Sequence, residues 1–479
     1  MQFKFLHFLF PVAASIGLYA EKPSKPNILF LYLDDLSFDA VGAYGNQEIK
    51  TPNIDALAQQ GVLFENAYNM GGWNGAVSIA SRSQLLTGRY VWRANQAEKT
   101  RYTKELASEV LLPQILKNAG YSTFMTGKWH VAHITPNQVF DQVELLRAGG
   151  MPADTPESYN RPQNDTDSLW LSWDKAQKGF WTGGKHWSEA QADVIISYIQ
   201  KHAHSKVPHF MYCAFNAPHD PRQAPRSFVD QYPLASIRLP ENFLPEHPLN
   251  EIMDAGRNIR DERLAPFPRT PYAVRKHRQE YYAIISHLDE QIGRILSTLK
   301  SEGMDKNTII ILVSDNGLAV GQHGFLGKQN LYEHSIKVPL IISGYGVEQG
   351  GRRTQLVYMQ DIVPMMYEVA GVKENISLDF KSLSNVLEKR NEKGRQLIYG
   401  AFMQSQRMLR GNRYKLYVIP AAKQIYLFDL RRDPLELNNL YGYKKYTKKA
   451  NLLFRNLLIE AKLQDDPLLN TLKEMKDLF

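Results

Sequence analysis

The feature that most constrains this fold is a set of continuous apolar runs of strand length. Three such runs cover residues 27–33, 207–215 and 307–314. A strand with one face in water alternates apolar and polar residues, so an unbroken run indicates a strand covered on both faces, as in a parallel sheet. The chain is therefore expected to contain buried strands that need a layer of helices on each side.

Helical patterns lie between these runs. Thr51, Pro52 and Gly61 bracket one short helix as N-cap, first-turn proline and C-terminal glycine. The alternation of strands and helices predicts an α/β fold with a large mixed, mostly parallel sheet sandwiched by helices. The further predicted elements are a helix over 105–118, a strand over 121–126 and a long helix over 281–302.

The pattern changes near residue 371. Short alternating pieces follow at 414–419 and 424–430, and after them comes an amphipathic helix rich in leucine. These elements predict a small C-terminal α+β domain over 371–479, which follows a main domain over 21–370.

The first twenty residues have the pattern of a secretory signal peptide. Lys4 precedes an apolar run over 5–18, and the run ends at the small residue Ala20. A membrane anchor is the weaker alternative, because Pro11 interrupts the run and a span needs about twenty apolar residues. We therefore expect a periplasmic or secreted protein with no membrane span after cleavage.

Composition narrows the chemistry. Cys213 is the only cysteine, so an intramolecular disulfide is impossible, and its apolar surroundings predict a buried side chain and not a nucleophile. The formal charge of +8 suits an anionic substrate, although a solvated basic surface would give the same balance. No nucleic-acid partner is predicted.

Polar residues follow two of the apolar runs directly. Asp34 and Asp35 come after the first run, and Asp315 and Asn316 come after the third. Open α/β sheets place ligand sites beyond the carboxyl ends of their strands, and carboxylate and amide oxygens are the ligands that hard divalent cations prefer. These four residues are candidate ligands of one cation. For Asp34 and Asp35 alone, binding of water or helix capping would be the simpler reading.

Two long polar stretches, 139–187 and 240–280, are predicted to cover the site. The first carries four of the seven tryptophans, and the second carries six arginines. Aromatic rings can stack on a ligand, and guanidinium groups can make charge-assisted hydrogen bonds to an anion. Ordinary packing and surface charge explain the same residues equally well.

The most specific segment runs from Ser78 to Arg89 and reads SIASRSQLLTGR. It resembles the signature of the type I sulfatases, in which cysteine or serine is followed by alanine or proline and then arginine at fixed spacing. Further motifs of that family follow in the family's order: Asp34-Asp35, Gly127-Lys128-Trp129-His130, Ala217-Pro218-His219-Asp220, Ser314-Asp315-Asn316-Gly317 and Gly327-Lys328.

The resemblance implies an alkaline-phosphatase-like fold and hydrolysis of sulfate esters. In the family the residue at position 78 is oxidised to formylglycine, whose hydrate attacks sulfur and then expels sulfate. One calcium ion, held by Asp34, Asp35, Asp315 and Asn316, also touches the oxygen on residue 78. Without the surrounding motif, Ser78 could simply cap the helix that follows it.

The resemblance also assigns roles around the nucleophile. Arg82 and Lys128 are expected to hold the nucleophile and orient the sulfate, and Lys328 is expected to bind sulfate near the ester oxygen. His130 is the expected base and His219 the expected general acid. His323 is an expected substrate contact. Lys128, His219, His323 and Lys328 are thus the expected substrate-binding residues. All of these cationic or basic groups match an anionic ester.

Serine at position 78 points to a bacterial member of the family, matured by a radical formylglycine-generating enzyme. The expected substrate is a sulfated carbohydrate, such as a glycosaminoglycan or an algal polysaccharide. Two alternatives remain open. One is a phosphomonoester or phosphodiester hydrolase of the same superfamily that uses unmodified Ser78, and the other is an inactive protein that only binds sulfated glycans.

Overall fold

Two β-sheets organise the molecule, which we describe from a computed structural model covering residues 25–150, 156–374, 376–388 and 392–479. The predicted signal peptide over 1–20 lies outside the described residues. The strands are β1 (Asn27–Asp34), β2 (Gly61–Tyr68), β3 (Gly71–Gly72), β4 (Ser122–Lys128), β5 (Gln142–Arg147), β6 (His209–Pro218), β7 (Thr308–Ser314), β8 (Lys337–Val338), β9 (Leu340–Gly344), β10 (Gly351–Tyr358), β11 (Leu397–Phe402), β12 (Gln406–Gly411), β13 (Tyr414–Ile419) and β14 (Gln424–Asp429).

Helices cover both sheets. They are α1 (Pro52–Gln59), α2 (Val77–Thr87), α3 (Val91–Lys99), α4 (Thr103–Ala107), α5 (Leu112–Asn118), α6 (Trp187–His202), α7 (Arg226–Val229), α8 (Pro271–Ser301), α9 (Glu333–Ile336), α10 (Ile362–Val369), α11 (Ser384–Glu388), α12 (Thr447–Leu463) and α13 (Leu469–Glu474). None of the helices within the described ranges combines the length and apolar character that a membrane span requires.

The large sheet has nine strands in the order β10-β2-β9-β7-β1-β6-β4-β5, with β8 paired to β2. Five adjacent strands, from β7 through β1, β6 and β4 to β5, are parallel, whereas β9 runs antiparallel to β7 and β2. The predicted α/β class with a large, mostly parallel sheet is confirmed.

Strand β1 shows why unbroken apolar runs predicted buried strands. Ile28, Phe30 and Tyr32 face one hydrophobic core, together with residues of α2, α5 and α10. The alternate residues Leu29, Leu31 and Leu33 face a second core with α1, α6 and α8. Both faces of the strand are fully buried, so no position along it can be polar without cost.

The small sheet has the order β14-β13-β12-β11-β3, and its four C-terminal strands form an antiparallel meander. Strand β3 joins this sheet from the N-terminal half of the chain by pairing with β11. Gly71 in β3 has φ +82°, and a Cβ there would lie 2.1 Å from the Ala401 carbonyl oxygen, so only glycine permits this pairing. The predicted C-terminal α+β arrangement is confirmed, and its boundary at residue 371 stays a prediction.

Two helix predictions were wrong in extent. The helix predicted over 105–118 is two helices, α4 and α5, because Glu109 adopts φ +53° between them and Pro113 restarts the helix. The helix predicted over 281–302 begins ten residues earlier, where the Thr270 side chain accepts a hydrogen bond from the Ala273 amide ahead of Pro271.

Candidate active site

The predicted site residues meet at the carboxyl ends of neighbouring parallel strands. Asp34 ends β1, Lys128 ends β4, His219 follows β6, and Asp315 follows β7. Because β7, β1, β6 and β4 are adjacent in the sheet, their ends form one edge. The position that open α/β sheets use for ligands is therefore the one these side chains occupy.

Ser78 is the second residue of α2, and Ala76 occupies the N-cap position of this helix without a side-chain hydrogen bond. The Ser78 hydroxyl does not cap the helix but lies 3.1 Å from Oδ1 of Asp34 and 3.4 Å from Oδ1 of Asn316. The helix-cap alternative for Ser78 is therefore wrong. The residue is 1% exposed and lines the floor of a cavity.

Four acidic and amide side chains form a buried cluster beneath Ser78. The Asn316 side-chain amide donates to Oδ1 of Asp35 at 2.6 Å, and the Asp35 backbone amide donates to Oδ1 of Asp315 at 3.2 Å. Asp35 has φ +68°, a left-handed conformation that costs energy in a non-glycine residue and that concentrates at functional sites. Each of these side chains is 1% exposed or less.

Three buried cations neutralise this cluster. The Lys128 ammonium donates to Asp34 at 2.5 Å, and the Lys328 ammonium donates to both carboxylate oxygens of Asp35 at 2.6 and 2.7 Å. Arg82 donates to Oδ2 of Asp315 at 3.1 Å and to the Lys128 carbonyl oxygen at 2.9 Å. Each carboxylate thus has its own cationic partner, as buried charges require.

Proximity of like charges separates the pKa values of the carboxylates. Burial, and then the negative charge of Asp34, raise the pKa of Asp315 to about 6. Burial would also raise the pKa of Asp34, but the Lys128 ammonium and further cations hold it well below its usual range. Asp34 is therefore ionised at neutral pH. The repulsion between the carboxylates appears as the raised pKa of Asp315.

Two histidines lie beside Ser78 and differ in their partners. His219 Nδ1 donates to the Asp220 carbonyl oxygen at 2.8 Å, so Nε2 carries the lone pair of the neutral ring and is the nitrogen that can exchange a proton. His130 has φ +52°, and its buried Nδ1 has no hydrogen-bond partner among the described residues. Burial, and then the charges of Lys128 and Arg82, lower the pKa of His130 to about 2, so its ring is neutral.

The cavity above Ser78 has a volume of about 340 Å³. His130, His219 and Lys328 line it with Ser78, as the sequence predicts. Its other walls were not among the predicted site residues. They are Gly75, Ala76, Gly150, Asn258, Ile259, Arg260, Asp261 and Gln329.

Arg260 is one of two charged wall residues, with Asp261, that the sequence analysis did not single out. Its Nη2 donates to Asp220 at 2.8 Å and to Asp261 at 3.1 Å, and lies 3.2 Å from Nε2 of His219. Gln329 donates to the other oxygen of Asp261 at 2.9 Å, which ties this wall to the loop that carries Lys328. The predicted cover 240–280 therefore supplies one wall of the cavity.

The structure does not bring His323 to this cavity. Its ring stacks on Tyr332 with centroids 4.0 Å apart, its Nε2 lies 3.0 Å from the Leu435 carbonyl oxygen, and it lines a separate cavity. Proximity in sequence to the metal motif suggested a substrate contact, but the loop turns the ring towards the small sheet instead.

The tryptophans of the stretch 139–187 also lie away from the cavity. Trp170 is 3% exposed and stacks under Arg161 at 3.7 Å, and Trp187 is 8% exposed and lies under Arg147 at 3.8 Å. Ordinary packing explains these rings, and Gly150 is the only described residue of the stretch that lines the cavity.

The buried cluster fits one hard divalent cation. Oxygen atoms of Asp34 and Asp35 and a nitrogen of His219 lie within 4.8 Å of one another, and Asp315 and Asn316 adjoin them. The donor set is almost entirely carboxylate and amide oxygen, and the raised pKa of Asp315 marks repulsion that a cation would relieve.

Comparisons with known proteins agree with this geometry. The family model described as Sulfatase matches residues 26–372, and a model described as N-sulphoglucosamine sulphohydrolase, C-terminal, matches residues 321–463. An arylsulfatase of Clostridium perfringens is 28% identical over 476 residues, which cover 92% of this chain and 95% of that protein. An N-acetylglucosamine-6-O-sulfatase of Bacteroides thetaiotaomicron is 26% identical over 521 residues, covering 93% and 87%.

A solved structure shares the fold. It was determined in complex with its substrate D-glucosamine-2-N,6-O-disulfate, and it aligns with a TM-score of 0.71 at 23% identity, covering 92% of this chain and 99% of that one.

Proposed function

This chain belongs to the sulfatase family and is a sulfuric ester hydrolase, and on that premise we propose that it removes sulfate from a sulfated carbohydrate. In this proposal the nucleophile is a formylglycine made from Ser78, and one calcium ion binds beside it. The observation that carries the proposal is that the Ser78 hydroxyl lines the cavity and contacts the Asp34 carboxylate and the Asn316 amide, in a buried cluster whose three carboxylates are paired with three buried cations.

The hydrate of a formylglycine carries two hydroxyl groups on one carbon. One of them attacks sulfur, and loss of the proton of the other releases sulfate and restores the aldehyde. An unmodified serine would be left as its own sulfate ester, which would need a second hydrolysis. The second hydroxyl therefore explains why this position is modified in the family.

Asp34, Asp35, Asp315 and Asn316 would hold the calcium ion. When bound, the ion would supply positive charge beside residue 78 and beside the sulfate oxygens. Lys328 is the buried cation that also lines the cavity, so it is placed to bind the sulfate of the substrate. Arg82 and Lys128 lie deeper and fix Asp315 and Asp34 in place.

His130 and His219 divide the proton transfers. His130 is the proposed base: its ring is neutral, so a nitrogen lone pair is available to accept the proton of a hydroxyl on residue 78. Burial and the neighbouring cations lower its pKa, and the negative charge of a sulfate bound beside it would raise that pKa towards the working range. His219 presents Nε2 to the cavity because Nδ1 donates to the Asp220 carbonyl oxygen. The general acid in this proposal is therefore the doubly protonated ring, whose Nε2–H gives its proton to the departing sugar oxygen and leaves the neutral Nδ1–H form.

Two observations support a carbohydrate substrate. The outer wall of the cavity offers amide, guanidinium and carboxylate groups that can bind hydroxyls, from Asn258, Arg260, Asp261 and Gln329. One relative is named an N-acetylglucosamine-6-O-sulfatase, and a protein of the same fold was solved with a glucosamine disulfate as its substrate. The proposal includes a radical maturase acting on Ser78 and a periplasmic or secreted location.

The test begins with the mass of the Ser78 peptide after coexpression with a radical formylglycine-generating maturase. We expect the loss of two hydrogens at Ser78 and hydrolysis of sulfated saccharides by the same preparation. Ser78→Ala should abolish hydrolysis, whereas Ser83→Ala, in the same helix but bonded to Tyr102, should retain it. A fully active preparation with unmodified Ser78 would contradict the mechanism.

Metal analysis separates sulfate ester hydrolysis from phosphoester hydrolysis on the same fold. We expect one calcium per chain, lost in Asp35→Asn, and turnover of sulfate esters above that of matched phosphate esters. Two zinc ions per chain with faster phosphate ester turnover would favour the phosphoester hydrolase instead. Binding of sulfated glycans without turnover by the modified protein would favour the inactive binding protein.

A further inference from the structure

A second cationic cavity lies between the edge of the large sheet and the small sheet. It has a volume of about 390 Å³ and shares no lining residue with the cavity over Ser78. Strand β10, β12 and the loop over 393–396 supply most of its walls. We call it the sheet-junction cleft.

Cations and amides line the sheet-junction cleft, and none of its lining residues within the described ranges carries a carboxylate. Its four charged lining residues are Lys393, Arg395, Arg410 and Arg431, and asparagine, glutamine and threonine side chains lie among them. Such a wall offers hydrogen-bond donors with positive charge, which suits an anion that only accepts hydrogen bonds.

The buried ion pairs around the cleft balance one another. Arg395 donates to Asp361 at 2.8 Å. Lys415 lies 3.2 Å from Glu333 and 2.7 Å from Glu436, and Nε of Arg410 lies 3.9 Å from Glu333, beyond hydrogen-bond distance. Three cations are thus paired with three carboxylates in this network. None of these carboxylates is available to neutralise the other cations that line the cleft.

Lys393 and Arg431 supply the excess charge. Both are exposed, and within the described parts of the chain no carboxylate lies within 4.0 Å of either charged group. Buried Arg410, 6% exposed, adds an Nε without a hydrogen-bond partner among the described residues. The cleft therefore combines a buried guanidinium with two exposed cations whose charged groups have no carboxylate within 4.0 Å among the described residues.

Glycine at position 394 gives this cleft its shape. The loop over 393–396 packs on β10, where the Arg395 amide donates to the Leu356 carbonyl oxygen at 2.8 Å. A Cβ at Gly394 would lie 2.5 Å from Cβ of Gln355 and 2.8 Å from the Leu356 oxygen. The wall that carries Lys393 is therefore held at a distance that only glycine allows.

We infer that the sheet-junction cleft binds a sulfate group of a sulfated polysaccharide, at a second site that does no chemistry. The substrate class rests on the proposed function, whereas the binding is independent of hydrolysis. Once a polymer has bound at one site, its other sulfate groups are held close to the second site at a raised effective concentration. The cleft would therefore lower KM for a polymer and leave kcat and the turnover of small esters unchanged.

The experiment measures binding of dextran sulfate, neutral dextran and duplex DNA to full-length Ser78→Ala protein at low salt. The background substitution removes hydrolysis, so failure of the proposed mechanism does not affect the measurement. Lys393→Gln combined with Arg431→Gln should weaken dextran sulfate binding about tenfold. The matched control, Lys444→Gln with Lys448→Gln, removes two exposed lysines elsewhere and should change binding less than about twofold.

Gly394→Ala is a second test variant, which keeps every charge of the cleft but displaces the wall that carries Lys393. We expect it to weaken dextran sulfate binding and to lower the melting temperature, because the wall must move to admit the Cβ. With Ser78 restored and matured, its turnover of an aryl sulfate should stay near that of the parent, and all binding is measured below the melting temperature of each variant. Equal losses in the cleft and control pairs would overturn the inference. So would an unchanged affinity in Gly394→Ala, or duplex DNA binding that is as tight and as dependent on Lys393 and Arg431.

Discussion

The proposed proton donor, His219, can be tested by the leaving group. Replacing it by glutamine should slow hydrolysis of a sulfated monosaccharide far more than hydrolysis of 4-nitrophenyl sulfate. A sugar alkoxide needs a proton as it departs, whereas nitrophenolate is stable as an anion and departs without one. General acid catalysis contributes about 10²–10⁴-fold, which corresponds to about 3–5 kcal/mol of activation free energy.

The residues around His219 indicate that the loss of rate in His219→Gln should lie within that range. Burial would lower the pKa of Lys328, but the carboxylates of Asp35 and then Asp261 hold that pKa above the usual lysine value. Lys328 therefore keeps its proton. Arg260 lies 3.2 Å from Nε2 and does not release a proton at any working pH. Because neither neighbour can replace the imidazole, we expect a loss of about 10³ on the sugar and of less than about tenfold on the aryl ester.

The matched control is His323→Gln, which alters a histidine predicted for the site but found stacked on Tyr332. Its kcat/KM should stay within about twofold of the parent on both substrates. The assay compares kcat/KM for the two esters in each variant, with melting temperatures to confirm folding. Equal losses on sugar and aryl esters for His219→Gln would refute a proton donor and leave only a positioning role. A large loss for His323→Gln would refute the placement of that ring.

Three further predictions address the metal, the backbone and the charge of the core. Calcium should raise the melting temperature of the parent, and the shift should vanish in Asp35→Asn, because bound ligand stabilises only the folded chain that binds it. Gly127→Ala should lower the free energy of unfolding by at least about 2 kcal/mol in urea titrations, because Gly127 has φ +91° and a Cβ would lie 2.0 Å from the Ala214 carbonyl oxygen. Burial raises the folded-state pKa of Asp289 to about 6, so the folded chain binds more protons than the unfolded one between about pH 4 and 6, and the free energy of unfolding should fall as pH rises through that window. Asp289→Asn should flatten that slope, whatever its effect on absolute stability.

The strands and their terminal residues were predictable because each carries a local signal. The apolar run of β1 covers both faces of a strand and stops at Asp34, which accepts a hydrogen bond from the Ser78 hydroxyl. The run that gives β7 stops in the same way before Asp315. Adjacent parallel strands bring their carboxyl ends together, so finding the run also fixes the place of the polar residue that follows it.

Other parts of the site depend on tertiary contacts that have no local signal. Arg260 reaches His219 across 41 residues of sequence, and nothing in the arginine-rich segment around it distinguishes it from its neighbours. His323 shows the converse error, because its neighbours along the chain belong to the site while its ring packs on Tyr332. For α8 a local signal existed, since Thr270 before Pro271 is a helix start, but its first turns lack the apolar repeat.

The floor and the walls of the cavity come from different kinds of structure. Asp34, Lys128 and Asp315 end or follow strands of the sheet and are buried. Lys128 donates to Asp34, and Arg82 donates to both Lys128 and Asp315, so a shift of one is resisted by the rest. Arg260, by contrast, comes from a stretch between strands that is free to differ in length and composition without disturbing the sheet. A rigid floor can keep one reaction, cleavage of the sulfate ester, while the wall decides which sugar reaches it. The floor is therefore the part that a motif can predict, and the wall is the part that only the folded loop reveals.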